Sequence, residues 1–183
     1  MRKSILTFAI LLALPFSADA AAFAKYDGVD GESKDADHSK WIDVLSIDWG
    51  VHKPGGGATG QSRRRGDVVV EDLTMTVGTA ASSVQLLNAL ASGHTFPNTV
   101  VEFTQPCGST GQRVAYLKYE LTNVQVTSYS IGSSGQDGVS PEPPPTEEFA
   151  LNFEEITWTY TAYDDKCQPG AESFFTTKIS GGR

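Results

Sequence analysis

The feature that most limits the fold is a pair of long strand-like runs that change phase partway. In residues 113–131, Ala115, Leu117, Tyr119 and Leu121 share one face by two-residue alternation, after which Val124 and Val126 carry the apolar signal on the other. Residues 147–163 repeat the behaviour, with Phe149, Leu151 and Phe153 first and Ile156, Trp158 and Tyr160 after. A slip of the two-residue period inside a continuous strand is what a bulge produces, and bulges bend strands around a curved sheet. The runs are joined by residues 132–146, Gly/Ser-rich and then proline-rich (PEPPP), so they read as a long hairpin with a stiff, solvated loop.

A second pair of strand-like runs lies in residues 28–77. Trp41, Leu45, Ile47 and Trp49 alternate onto one face, broken by Asp43, and Val69, Leu73, Met75 and Val77 do the same, broken by Glu71. Between them VHKPGGGATGQSRRR has no apolar periodicity, which predicts a glycine-rich, cationic loop reaching away from its own domain. The convincing helical stretch is 82–91: Ser82 or Ser83 caps it, Val84, Leu87 and Leu90 or Ala91 form a stripe, and Gly93 stops it. Further strands are read at 98–105, with Val101 and Phe103 on one face, and around 174–179. No domain boundary or internal repeat is visible, and the pattern reads as a single all-β barrel or sandwich with one helix.

The first residues read as an address. Arg2 and Lys3 precede an apolar run, 5–16, and Ala18-Asp19-Ala20 supplies small residues two apart. This predicts a signal peptide over 1–20 cleaved after Ala20, a mature domain over 21–183, and a secreted or periplasmic location. The alternative, a membrane anchor, needs roughly 20 apolar residues, and Pro15 ends this run sooner. Loss of the leader removes Arg2, Lys3 and Asp19 and leaves 12 basic against 21 acidic residues, a net charge of −9. So acidic a chain disfavours nucleic acid and anionic membranes as general partners. The two cysteines, Cys107 and Cys167, both lie in loop-like sequence. In an exported chain they read first as an intrachain disulfide, with an interchain bond or free thiols as alternatives.

The sequence presents no enzyme motif and calls for no cofactor or metal. His38, His52 and His94 lack metal-site spacing, and there is neither a Gly-x-Ser-x-Gly elbow nor a phosphate-binding glycine loop followed by Lys. Glu154 and Glu155 are neighbours in a strand and point to opposite faces. The acidic residues Asp27, Asp30, Glu32, Asp35 and Asp37 depart from calcium-loop spacing and read as a solvated turn. Arg63, Arg64 and Arg65 in an acidic chain suit carboxylates on a neighbouring subunit better than nucleic acid.

The succession GESKDADHSKWIDVLSIDWG, a Gly-rich insert, GDVVVEDLTMT, a short helix ending SGHTFPNTVVEF, VAYLKYELTNVQVTSYSIGSSG and EEFALNFEEITWTYTAYD resembles the haemolysin-coregulated protein (Hcp) family. These are the tube proteins of type VI secretion systems. The resemblance runs in order over residues 23–163. It implies a β-barrel of two sheets with a helix on one side, no catalysis, no cofactor and no nucleic acid. It also implies hexameric rings that stack into a tube, with effector proteins in the lumen or a spike component as partners. The loop between rings falls on 51–65, which marks Val51, His52, Lys53, Arg63, Arg64 and Arg65 for stacking and Asp30, Glu32, Asp35 and Asp37 as the acidic counter-surface. The leader and the cysteine pair suit a different reading, an Hcp-like barrel reused as an exported binding or carrier protein.

Overall fold

The computed structural model describes residues 21–53, 68–108, 111–132 and 145–179. Its elements follow in the order β1 (Ala21–Tyr26), β2 (Ile42–Asp48), β3 (Val51–His52), β4 (Val69–Val70), β5 (Leu73–Gly78), α1 (Ala81–Ser92), β6 (Thr95–Cys107), β7 (Gln112–Gly132), β8 (Thr146–Asn152), β9 (Glu155–Tyr163) and β10 (Pro169–Lys178). The main sheet has the order β10-β9-β7-β6-β1-β2-β5-β8, and a further β7–β8 pairing joins its last strand back to its third. Six strands, β7-β6-β1-β2-β5-β8, therefore close into a barrel, and β9 with β10 stands off it as a two-stranded flap. Of the all-β barrel or sandwich with one helix that the pattern predicts, the chain forms the barrel.

Closure depends on β7. At 21 residues it is several times longer than an ordinary strand, and one of its edges serves two neighbours in turn. Leu117 to Thr122 pair with β9, and Gln125 to Gly132 pair with β8. The phase slips expected in both runs occur opposite one another. Leu121 and Val124 are both buried, as are Phe153 and Ile156, so each strand skips one residue of its alternation. Asn123 adopts a left-handed conformation (φ +51°), donates to Glu154 Oε2 at 2.7 Å, and is followed across the pair by Glu154 N–H donating to Thr122 O at 3.0 Å. Thr122↔Glu155 and Gln125↔Asn152 show that register survives the slip, because both strands advance by the same amount. The hairpin thus turns from barrel wall into flap without breaking its pairing.

Two faces differ from the sequence expectation. In β2, Ile42 and Val44 are buried, Leu45 is 62% exposed, and Ile47 and Trp49 turn inward again. Register against β5 shifts between Val44 and Ser46, so a bulge at Leu45 swaps the faces, and Asp43 is the residue that marked the outer one. In α1 the inward stripe is Ser82, Ser83, Leu86 and Ala89, with Leu87 and Leu90 half-buried, while Val84 faces solvent. The Ser83 hydroxyl accepts from the Ala80 N–H (3.1 Å), which pins the first turn, and Gly93 ends the helix in the left-handed region at φ +68°. The helix packs on β7.

The barrel interior is filled by Ala24, Tyr26, Leu73, Met75, Val101, Leu121, Val124, Phe149, Leu151, Phe153 and Ile156, all essentially inaccessible. Burial of each large side chain contributes about 1.5–3 kcal/mol, so the wall of β5, β7 and β8 carries much of the stability.

Candidate functional site

What the barrel leaves outside is an apolar flap. In β9, Trp158 is 42% and Tyr160 47% exposed, and in β10, Phe174 is 77% and Phe175 50% exposed. Register places Phe175 beside Trp158, Phe174 beside Thr159 and Ser173 beside Tyr160. Adjacent residues of a strand face opposite ways, so the two phenylalanines present aromatic surface on both sides of the flap. β10 pairs only with β9, leaving its outer edge open among the described residues.

A second projection begins where β2 leaves the barrel. β3 and β4 form a ribbon in which Val51 pairs with Val70 and His52 with Val69. Val51, Val68 and Val69 are exposed, while Val70 leans on the core. At its base Glu71 N–H donates to Gly50 O at 3.0 Å, and His52 Nδ1 lies 3.3 Å from Glu71 Oε1. Val51, His52 and Lys53 thus form the root of the cationic insert; Arg63, Arg64 and Arg65 lie outside the described residues.

The acidic segment folds back over the outer face of β1, and most of its carboxylates meet partners in their own chain. Asp30 bridges Lys25 (3.2 Å) and Lys40 (2.9 Å), which hold its carboxyl below the usual carboxylate range, while Asp30 in turn raises Lys40. Glu32 Oε1 accepts from the Ala81 N–H at the start of α1 (3.1 Å). Asp35 Oδ1 lies 2.8 Å from His38 Nδ1 and accepts from the N–H groups of Asp37 and His38. Burial works against the charged form of Asp35, but these hydrogen bonds, that of the His38 ring foremost, outweigh it and keep its carboxyl low. Asp37 stays exposed.

His38, which looks isolated in the sequence, is the buried pin of this segment. Its ring stacks on Phe23 (centroids 4.1 Å, interplanar 7°) and meets Trp41 edge-on at 5.0 Å. Its Nε2 lies 3.0 Å from Glu102 Oε2 on β6. Two carboxylates flank two ring nitrogens, and both bonds form only when both nitrogens carry hydrogen. Gly31 is required at the fold-back, because a Cβ there would collide with the Trp41 carbonyl. Only the proximity of Asp35 to His38 was visible locally; Glu102 is 64 residues away.

Cys107, the last residue of β6, and Cys167, in the β9–β10 turn, form a disulfide with a Cα–Cα distance of 5.7 Å. Among the described residues no group of His, Cys, Asp and Glu could hold a metal ion, and no helix is long and apolar enough to cross a membrane. The flap aromatics escaped the sequence reading because Trp158 and Tyr160 continue an alternation that begins inside the barrel. The adjacent pair Phe174-Phe175 was the available signal, since neighbours in a strand cannot both face one core.

A barrel of this kind has relatives. The family described as "Type VI secretion system effector, Hcp" matches residues 23–160. Protein hcp1 of Pseudomonas aeruginosa is 35% identical over 138 residues, covering 75% of this chain and 81% of that protein. A solved type six secretion system protein superposes with a TM-score of 0.72 at 30% identity, covering 88% of this chain and 96% of the other. Hcp1 from Salmonella typhimurium does so with a TM-score of 0.68 at 24% identity, over 87% and 94% of the two chains, a likeness of fold. With three quarters of its length matched and its barrel shared, the chain belongs to the Hcp family, the structural tube proteins of type VI secretion systems.

Proposed function

We propose that the protein works without catalysis, as a subunit of hexameric rings that stack into a tube and carry effector proteins in the lumen. The observation that carries this reading is the flap: Trp158, Tyr160, Phe174 and Phe175 are each at least 42% exposed on a two-stranded sheet whose outer edge is unpaired among the described residues. Aromatic side chains supply much of the energy at protein interfaces, and a heterologous contact between copies closes into a ring when its rotation allows. Each ring neighbour would receive the flap, and the β3–β4 ribbon with its insert would meet the next ring.

Charge supports the same division. A mature chain of net −9 repels its copies across a stacking plane, and Arg63, Arg64 and Arg65 supply positive charge where it offsets that repulsion. Since Asp30, Glu32 and Asp35 are engaged within their own chain, Asp37 is the member of the acidic group best placed to receive an arginine. The first 20 residues act as a cleaved leader in this reading, which makes Ala21, the first residue of β1, the mature N-terminus. An exported carrier built on the same barrel is the second reading, favoured by the Cys107–Cys167 bond.

The test is the mass and shape of the oxidised mature chain, residues 21–183, by light scattering and negative-stain imaging. Rings are expected. A monomer over a wide concentration range would overturn the ring reading and leave the carrier.

A further inference from the structure

We infer that the flap of one copy docks by Phe174 in a hollow beside Leu45, on the far wall of the next copy's barrel. The inference rests on the flap being the self-association surface, and it names the surface that receives it.

The barrel itself holds the flap aromatics in place. Trp158 is in register with Tyr119 of β7 and Tyr160 with Leu117, while Phe175 and Phe174 of β10 lie beside Trp158 and Thr159. All four therefore sit on strands laddered to β7, and their orientation is set before any partner arrives. Together they expose about 400 Å², about half of what one partner gives to a stable contact. Phe174 is the most exposed of the four, and its side of the flap is uncharged close by. Thr157, Thr159 and Thr176 surround it by alternation, and the hydroxyls of Thr157 and Thr176 bond to one another at 3.0 Å. Glu172 and Lys178 lie further out on the same side. An apolar anchor in neutral surroundings with a charged rim is the anatomy of a protein interface.

A head-to-tail contact needs its second surface on another side of the same subunit. The barrel order β7-β6-β1-β2-β5-β8 puts β2 three strands from β7 in either direction, so β2 runs down the wall opposite the one that bears the flap. There Leu45 faces solvent at the bulge. It borders a hollow of about 550 Å³ walled by Ala21, Ala22, Phe23 and Val44, with Lys34 and Asp43 at the rim. That volume lies within the roughly 300–1,000 Å³ of ordinary binding sites and admits an aromatic side chain. The other exposed aliphatic side chains among the described residues lie elsewhere. Val84 is on α1, which packs on β7, Ile131 is on β7 itself, and Val51, Val68 and Val69 belong to the ribbon or its approach.

The two surfaces match in chemistry as well as in place. Each has an apolar centre with one acid and one base at its edge, so Glu172 and Lys178 of one copy can meet Lys34 and Asp43 of the next. Because the two surfaces differ, each copy still has one of each to offer after its first contact, and the assembly grows until it closes.

The test places the photo-cross-linker benzoylphenylalanine at position 174 of the mature chain. Heavy-isotope-labelled and unlabelled chains are mixed, so that mass spectrometry tells links between copies from links within one. Links between copies should fall on residues 21–23 and 43–45. Single variants are then followed by sedimentation velocity. Leu45→Asp should weaken association about tenfold or more, as Phe174→Ser does, while Val84→Asp leaves it unchanged. Links to any other segment of the second copy, or none between copies in a chain that forms rings, overturn the inference and leave the ring reading intact. So does wild-type association in Leu45→Asp. An equal loss in Val84→Asp overturns it too, since the effect would then follow added charge and not the wall opposite the flap. A wild-type chain that sediments as a monomer defeats the ring reading and this inference together.

Discussion

The two halves of the 113–163 hairpin obey the same alternation and end in opposite surroundings. Phe149 and Leu151 are wholly buried in the barrel, while Trp158 and Tyr160, a few residues along the same pair of strands, stand 42% and 47% exposed. The turning point is Asn123 and Glu154, where both strands skip a residue together. Alternation decides which residues share a face; closure of the sheet decides what that face meets. The barrel half completes its packing within one chain, and the flap half keeps its aromatics exposed among the described residues.

The contrast breaks most readily at Phe149. Phe149→Ala should destabilise the fold by about 3–5 kcal/mol, since the side chain is fully buried in the core and its loss leaves a cavity. Urea unfolding measures it, and a loss of under about 1 kcal/mol would mean that the wall is not the well-packed element it looks to be.

Next in size is the pin on the outer face of β1. His38→Ala removes the stack on Phe23 and leaves Asp35 and Glu102 facing each other without the ring between them, at a cost of about 2–3 kcal/mol. A double-mutant cycle with Glu102→Gln should show strong coupling. Additive effects would mean that the ring acts by packing alone.

Tyr26 sharpens the comparison in the other direction. Its ring fills the core, yet its hydroxyl has no hydrogen-bond partner among the described residues, and burial pushes its ionisation well above the usual tyrosine range. The unfolded chain ionises this group near pH 10 and the folded chain holds its proton longer. Stability is therefore complete below about pH 10 and falls above it, by about 1.4 kcal/mol per pH unit while the folded form stays neutral. Tyr26→Phe should raise stability at neutral pH by up to about 1 kcal/mol and flatten the alkaline decline. Urea midpoints at pH 8 and pH 11 decide it.

The smallest effect on folding is expected at the flap. Phe174→Ser should change the unfolding free energy by less than about 0.5 kcal/mol, because that side chain touches little of its own chain. In light scattering the same variant should lose self-association. Unchanged assembly would move the interface elsewhere.

Much of this architecture is written in local patterns. The period slips at 121–124 and 153–156, the helix that ends at Gly93 and the strand ending near Cys107 are all legible, because each depends on a few consecutive residues and their intrinsic geometry. The order of elements that marks the Hcp family is linear information too. The bulge at Leu45, the outward turn of Val84 and the meeting of His38 with Glu102 depend on strands and loops distant in sequence. A one-residue bulge exchanges the faces of a strand at little local cost, so only the register with β5 reveals it. The sequence by itself therefore determined most of the strands, where the long ones bend and which family they resemble, but not β1, whose short run over Ala21–Tyr26 becomes a strand by pairing with β2 and β6. Tertiary structure alone decided which faces are inside, that the sixth strand returns to close the barrel, and that four aromatics remain outside, because burial is a property of what packs against a strand and not of the strand.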